Sequence, residues 1–185
     1  MNTFRRLAVY CASSNEIDPI YRDAAFQLGH ALADAGIGLV FGGGSVGLMG
    51  AVADAVLERG GEVIGVIPEK LQDLELGHTG CTELHVVDTM HVRKQMMMDF
   101  SDGFIAMPGG FGTLEELFEV LTWHQLGWHD KPCGLLDVDG FYAPLANCIA
   151  HMQDEGFLSV AHAQRLQRAP DAEGLLAMMG VTARS

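Results

Sequence analysis

Short apolar runs alternate with longer amphipathic ones along nearly the whole chain, and no other feature restricts the fold as strongly. Strands buried on both faces read as short apolar runs, and the helices that cover them read as longer stripes. The pattern therefore predicts βαβ units that build a parallel sheet with helices on both faces. Strands are expected near 7–12, 37–41, 62–67, 84–87, 103–107 and 133–137, and helices near 19–35, 47–59, 90–100, 113–126, 140–155 and 171–179. No repeat, low-complexity tract or Pro/Ser-rich linker interrupts this order, so residues 1–185 are expected to form a single domain. The longest irregular stretch, 68–82, is expected to be a loop carrying Glu69, Glu75 and His78 beyond the end of a strand. In an open parallel sheet ligands gather outside the carboxyl ends of the strands, which marks such a loop as functional.

The charge balance narrows the partners. With 24 acidic against 11 basic residues the chain carries a formal net charge of −13, which repels both polymeric nucleic acid and anionic membrane surfaces. A small anionic ligand is compatible with that field only where a few cations and backbone amides are gathered locally. At 49% hydrophobic, the 185 residues can bury a core without disulfide or metal staples. Met1 to Arg6 leads straight into the apolar Leu7 to Cys11, with no signal-peptide pattern, and no apolar run reaches membrane-spanning length. Cys11, Cys81, Cys133 and Cys148 form no C-x-x-C pair, which points to buried thiols in a reducing, cytoplasmic setting. The histidines form no H-E-x-x-H, so no metal site is expected.

Two glycine-rich turns compete for the chemistry. The first, Gly42 to Gly50, follows a predicted strand, opens a predicted helix and contains G-x-G-x-x-G; Glu69 lies 22 residues after Gly47, where a dinucleotide site would keep its ribose-binding acid. Its glycines suit either close packing or a phosphate contact. The second, Pro108 to Glu116, places Gly109, Gly110 and Gly112 between the strand ending at Met107 and the helix of Leu114 to Gln125. Exposed amides at a helix N-terminus favour a dianionic phosphate. Thr113 and Glu116 are also spaced as a capping box, which would give them a purely structural task. A third segment tips the balance toward a ligand: Arg93 and Lys94 fall at the start of a helix, where cations oppose the helix dipole unless an anion or carboxylate compensates.

Taken together, the Gly42-Gly43-Gly44-x-x-Gly47-Leu48-Met49-Gly50 turn, Met90-His91-x-Arg93-Lys94 and Pro108-Gly109-Gly110-x-Gly112-Thr113-x-x-Glu116 resemble the LOG ("Lonely guy") family. The similarity runs from Cys11-Ala12-Ser13-Ser14 through Thr122-Trp123-x-Gln125-Leu126-Gly127 to Lys131-Pro132 and Gly156-Phe157, nearly the whole chain. The resemblance implies a Rossmann-like doubly wound α/β fold, a homodimer, and no metal or organic cofactor. It also implies hydrolysis of the N-glycosidic bond of a nucleoside 5′-monophosphate, AMP or N6-prenylated AMP, to free base and ribose 5-phosphate. Arg93 and Glu116 are its implied catalytic pair. Its implied substrate contacts are Glu75, Arg93, Lys94, Gly109, Gly110, Phe111, Gly112, Thr113, Leu114, Glu115, Glu116 and Thr122, with Ser14 and Gly43 as further neighbours.

Cleavage of a ribosyl C–N bond builds positive charge on the sugar and negative charge on the departing base. A carboxylate at Glu116 can steady the sugar cation or orient water, while Arg93, which does not readily lose its proton, suits holding ribose or phosphate. Two other readings compete: a non-catalytic nucleotide carrier that keeps the phosphate cradle, and an NAD(P)-dependent oxidoreductase resting on Gly42 to Gly47 and Glu69. A pyridoxal-phosphate decarboxylase is disfavoured, because Lys70, Lys94 and Lys131 are the only lysines and none has a recognisable cofactor setting.

Overall fold

The computed structural model describes residues 4–75 and 77–181, with only the backbone described at 73–75. Seven strands form one sheet: β1 (Arg6–Tyr10), β2 (Gly38–Phe41), β3 (Val63–Pro68), β4 (Glu83–Val87), β5 (Phe104–Ala106), β6 (Cys133–Leu136) and β7 (Leu166–Ala169). Their spatial order is β4-β3-β2-β1-β5-β6-β7, and every strand pair is parallel. The helices are α1 (Pro19–Asp34), α2 (Gly47–Glu58), α3 (Glu69–Glu75), α4 (Met90–Phe100), α5 (Phe111–Gln125), α6 (Ala143–Asp154), α7 (Val160–Ala163) and α8 (Ala172–Met178). The expected doubly wound α/β architecture is what forms.

Strand periodicity divides the core into two layers. Leu7 and Val9 of β1 join Leu39, Phe41 and Ile105 beneath Leu28 and Leu32 of α1, Val52 and Val56 of α2, and Leu175 of α8. Ala8 and Tyr10 point the other way and meet Val40, Ile64 and Phe104 beneath Met97 of α4 and Val120 of α5. Successive strand side chains face opposite sides, so a central strand must be apolar on both faces where it is covered, as β1 is from Leu7 to Tyr10. Full burial of each such aliphatic side chain contributes about 1.5–3 kcal/mol. Helix starts are set locally: Asp18 accepts a hydrogen bond from the Ile20 amide at 3.0 Å with Pro19 in the first turn of α1, and Thr89 accepts from the Val92 amide at 3.2 Å to open α4.

Three expectations need correction. The stretch 68–82 is not one irregular loop, because Glu69–Glu75 winds into α3. The segment after α3 is tied back to the first glycine-rich turn by a bridge between Gly44 and Gly77 and by the His78 amide donating to the Gly43 carbonyl at 2.8 Å. A seventh strand, β7, pairs with β6 where no strand was expected; its sequence Leu-Gln-Arg-Ala carries no apolar run because it is a partly exposed edge. Finally, α5 begins at Phe111 rather than at 113. Among the described residues no helix is long and apolar enough to cross a membrane.

Candidate active site

The chain steps from β1 outward to β4 and then returns to place β5 on the other side of β1. Connections leaving the carboxyl ends of β1 and β5 therefore diverge, which leaves a crevice between them. A cleft of about 350 Å³ lies there, within the size range of small-molecule sites. Cys11 to Ser14 after β1, Gly42 after β2, Met49 of α2, Met90 and Arg93 of α4, and the start of α5 line it.

Arg93 sits in the first turn of α4 and is only 6% exposed. Its Nη2 donates to the Gly42 carbonyl at 3.3 Å and lies 3.9 Å from Oε1 of Glu116, which is 9% exposed. Its Nε is buried without a hydrogen-bond partner among the described residues. A cation at the positive end of a helix, largely desolvated, is held there by the carboxylate opposite it. Burial pushes the phenol of Tyr10 well above its ordinary range, and the nearby Glu116 charge adds to that, so Tyr10 lines the cleft as a neutral group.

The second glycine-rich turn delivers Glu116 and something more. Gly110 is the N-cap of α5, and no side chain caps the helix. The first helical bond runs from the Leu114 amide to the Gly110 carbonyl at 3.1 Å, so the amides of Phe111, Gly112 and Thr113 precede the ladder. Thr113 stands inside the helix rather than at its cap, which removes the capping-box role from Thr113 and Glu116. Gly110 and Gly112 have no atom within 4 Å of where a Cβ would be, and neither has a positive φ, so neither packing nor backbone conformation demands glycine there. Both glycines line the cleft.

The first turn is arranged otherwise. The Gly47 amide donates to Oδ1 of Asn15 at 2.9 Å and the Leu48 amide to the Ala12 carbonyl at 2.9 Å. The first two amides of α2 are thus taken by the segment after β1 rather than open to the pyrophosphate that a dinucleotide reading requires. A Cβ on Gly42 would lie 2.0 Å from Nη2 of Arg93. That turn is shaped to receive the guanidinium.

Of the residues expected at the site, Arg93, Gly110, Phe111, Gly112, Thr113, Glu115 and Glu116 line one cleft. Gly109 and Leu114 flank it without lining it. Lys94 also stands outside the lining; its Nζ pairs with Glu115, and with Glu119 at 2.9 Å. The Thr122 hydroxyl donates to the Phe118 carbonyl at 2.6 Å and borders a separate cavity of about 160 Å³ with His124 and Met152. The side chain of Glu75 lies outside the described residues. Ser14 lines the cleft, whereas at the first turn it is Gly42 rather than Gly43 that does so. Tyr10, Met49 and Met90 also line it and were not expected; their signal is only that β1, α2 and α4 all open on the crevice beside β5.

A family model described as "possible lysine decarboxylase" matches residues 49–179. Cytokinin riboside 5′-monophosphate phosphoribohydrolase LOG2 of Arabidopsis thaliana is 49% identical over 176 residues, which cover 95% of this chain and 83% of that protein. The enzyme of the same name designated LOG, from Oryza sativa subsp. japonica, is 50% identical over 173 residues, covering 94% of this chain and 72% of that one. Among solved structures, a molybdenum cofactor binding protein from Rippkaea orientalis superposes with a TM-score of 0.72 at 23% identity, covering 97% of this chain and 98% of that one. The molybdenum cofactor carrier protein of Chlamydomonas reinhardtii gives 0.71 at 20%, covering 96% and 97%. At those identities the likeness to the two structures is one of fold alone. The family match and the extent of identity to the plant enzymes establish that this chain belongs to the LOG family.

Proposed function

We propose that this chain hydrolyses the N-glycosidic bond of a nucleoside 5′-monophosphate, AMP or its N6-prenylated form, to free base and ribose 5-phosphate. One observation carries the reading: the Arg93–Glu116 pair and the uncapped start of α5 open into the same cleft. The amides of 111–113 receive the phosphate dianion, and the open space at Gly110 and Gly112 lets its oxygens approach. Phe111, 94% exposed at the cleft, gives a purine a ring to stack on. Glu115, at the cleft edge, accepts from the sugar hydroxyls.

In the reaction a water oxygen bonds to C1′ as the C1′–N bond breaks. The bonding pair leaves on the base nitrogen, which takes a proton, and the attacking water loses one. Glu116 faces the positive charge that grows on the sugar, and Arg93 balances Glu116 while holding the sugar phosphate. Remote binding of the phosphate orients the ribose, so a nucleoside without it reacts poorly. None of the three lysines lines the cleft, and Lys131 donates to the Met98 carbonyl at 2.6 Å, so a lysine Schiff base has no place in it.

The chain acts as a homodimer in the cytoplasm. Phe118, Leu126, Trp128 and Met152 are exposed along α5, the turn after it and α6, and α6 buries no residue, which supplies an apolar face for a second copy. Sedimentation at micromolar concentration should give twice the chain mass.

The decisive test is a panel of nucleoside monophosphates and free nucleosides, followed by chromatography for base and ribose 5-phosphate. Release from AMP but not adenosine is expected. Saturable AMP binding with no product over long incubation would favour a carrier instead, and release from no monophosphate would reject the hydrolase.

A further inference from the structure

Two consecutive residues of α4, Arg93 and Lys94, face two consecutive residues of α5, Glu115 and Glu116. The contacts are unequal. Arg93 and Glu116 stand 3.9 Å apart, too far for a hydrogen bond to fix their geometry. Lys94, in contrast, is within close hydrogen-bonding range of Glu115 and 2.9 Å from Glu119, one helical turn further along α5. Its side chain is only 10% exposed and that of Glu119 21%, so that pair is shielded more than surface ion pairs are, while Glu115, 52% exposed, forms the outer side. The two helices rest chiefly on the sheet, α4 over β1 to β4 and α5 over β5 and β1, rather than on each other. The sheet and the shared apolar layer of Met97 and Val120 fix the helix bodies, and at the cleft the side chains that bridge them are Arg93 to Glu116 and Lys94 to Glu115 and Glu119.

On this basis, and resting on the hydrolase reading, we infer that Lys94 is a positioning residue: its ammonium clamps α5 to α4 through Glu115 and Glu119 and so sets the distance between Arg93 and Glu116. A phosphate could recruit Lys94 only by breaking both pairs. Burial by itself would lower the pKa of this amine, but the hydrogen bonds to Glu115 and Glu119 outweigh it and hold the value above the ordinary one. The clamp is charged throughout the neutral range.

A misplacement of about 1 Å in reacting groups costs on the order of 100-fold in rate. Lys94→Met keeps the unbranched stem of the side chain and removes the ammonium. With wild-type turnover of AMP established first, this variant should lose about 10-fold to 100-fold in kcat while its calorimetric affinity for ribose 5-phosphate stays within about twofold. Lys94→Arg should recover most of kcat. Glu119→Gln, which removes one anchor outside the cleft, should move kcat the same way by less and keeps the test open if Lys94→Met does not fold. Loss of ribose 5-phosphate affinity with kcat intact would make Lys94 a phosphate ligand and overturn the clamp. Unchanged kcat and affinity in both variants would make the pairs bystanders. If the wild type itself releases no base, the hydrolase reading fails and the clamp with it.

Discussion

The two glycine-rich turns look alike as sequence and are opposite in use. At the first, the space a side chain would fill is already taken: Arg93 occupies it at Gly42, and the backbone of Ser13 lies 2.5 Å from a Cβ at Gly47, whose φ is +62°. The amides that open α2 are bonded to Asn15 and Ala12. At the second, Gly110 and Gly112 leave open space, and the amides opening α5 meet no cap. One turn is built around the protein's own parts and the other toward something from outside. A glycine motif thus acquires meaning from what fills the vacated volume and from where its N–H groups go.

The largest expected effect tests the outward-facing turn. Glu116→Gln should lower kcat on AMP by about 10²–10³ while circular dichroism stays that of the wild type, with a lower Tm because the buried Arg93 loses its carboxylate; normal turnover would leave α5 with no catalytic side to contrast. Next comes the inward-facing turn. Gly47→Ala must hold a left-handed φ and displace Ser13, so urea unfolding should show a loss of about 2–3 kcal/mol. A stability unchanged by that substitution would erase the distinction between the turns. Gly112→Ala should do the reverse. It adds a helix-favouring Cβ in open space, so stability should hold or rise by about 0.5–1 kcal/mol, while calorimetry should show ribose 5-phosphate binding about tenfold weaker.

The smallest effect is a control at the far end of β1 from the cleft. Two hydrogen bonds from Arg6, at 2.7 and 2.9 Å, hold the Glu62 carboxyl below its ordinary value against the opposing influence of burial. A depressed carboxylate stabilises the fold above its unfolded pKa of about 4.3, and that contribution disappears as the pH falls through the folded value. Both side chains are about one-third exposed, so the pair is worth no more than about 1 kcal/mol. Glu62→Gln should flatten the acid limb of the stability curve by that amount and leave kcat unchanged. A fall in kcat would mean that the ends of β1 are coupled and that the turns do not act locally.

Much of this was legible in advance. Six strands and the helices between them are implied by alternating apolar runs, because a parallel sheet buried on both faces leaves that pattern in each strand. β7 was hidden because an edge strand with Gln167 and Arg168 has no such run, and α3 because seven residues are too few to display a helical stripe. At the site, Arg93 and Glu116 stood out through the oddity of cations at a helix start and glycines before another. Lys94 stood out for the same reason, yet its partners are carboxylates of α5 rather than a ligand.

By itself the sequence determined the βαβ order, the two layers of core and the presence of glycines where the chain must turn, since those depend on periodicity and on residues close along the chain. Only the tertiary structure decided which turn faces inward. That choice depends on β5 returning beside β1 and on Arg93 reaching Gly42, 51 residues away, and no local pattern encodes a contact made by strand order.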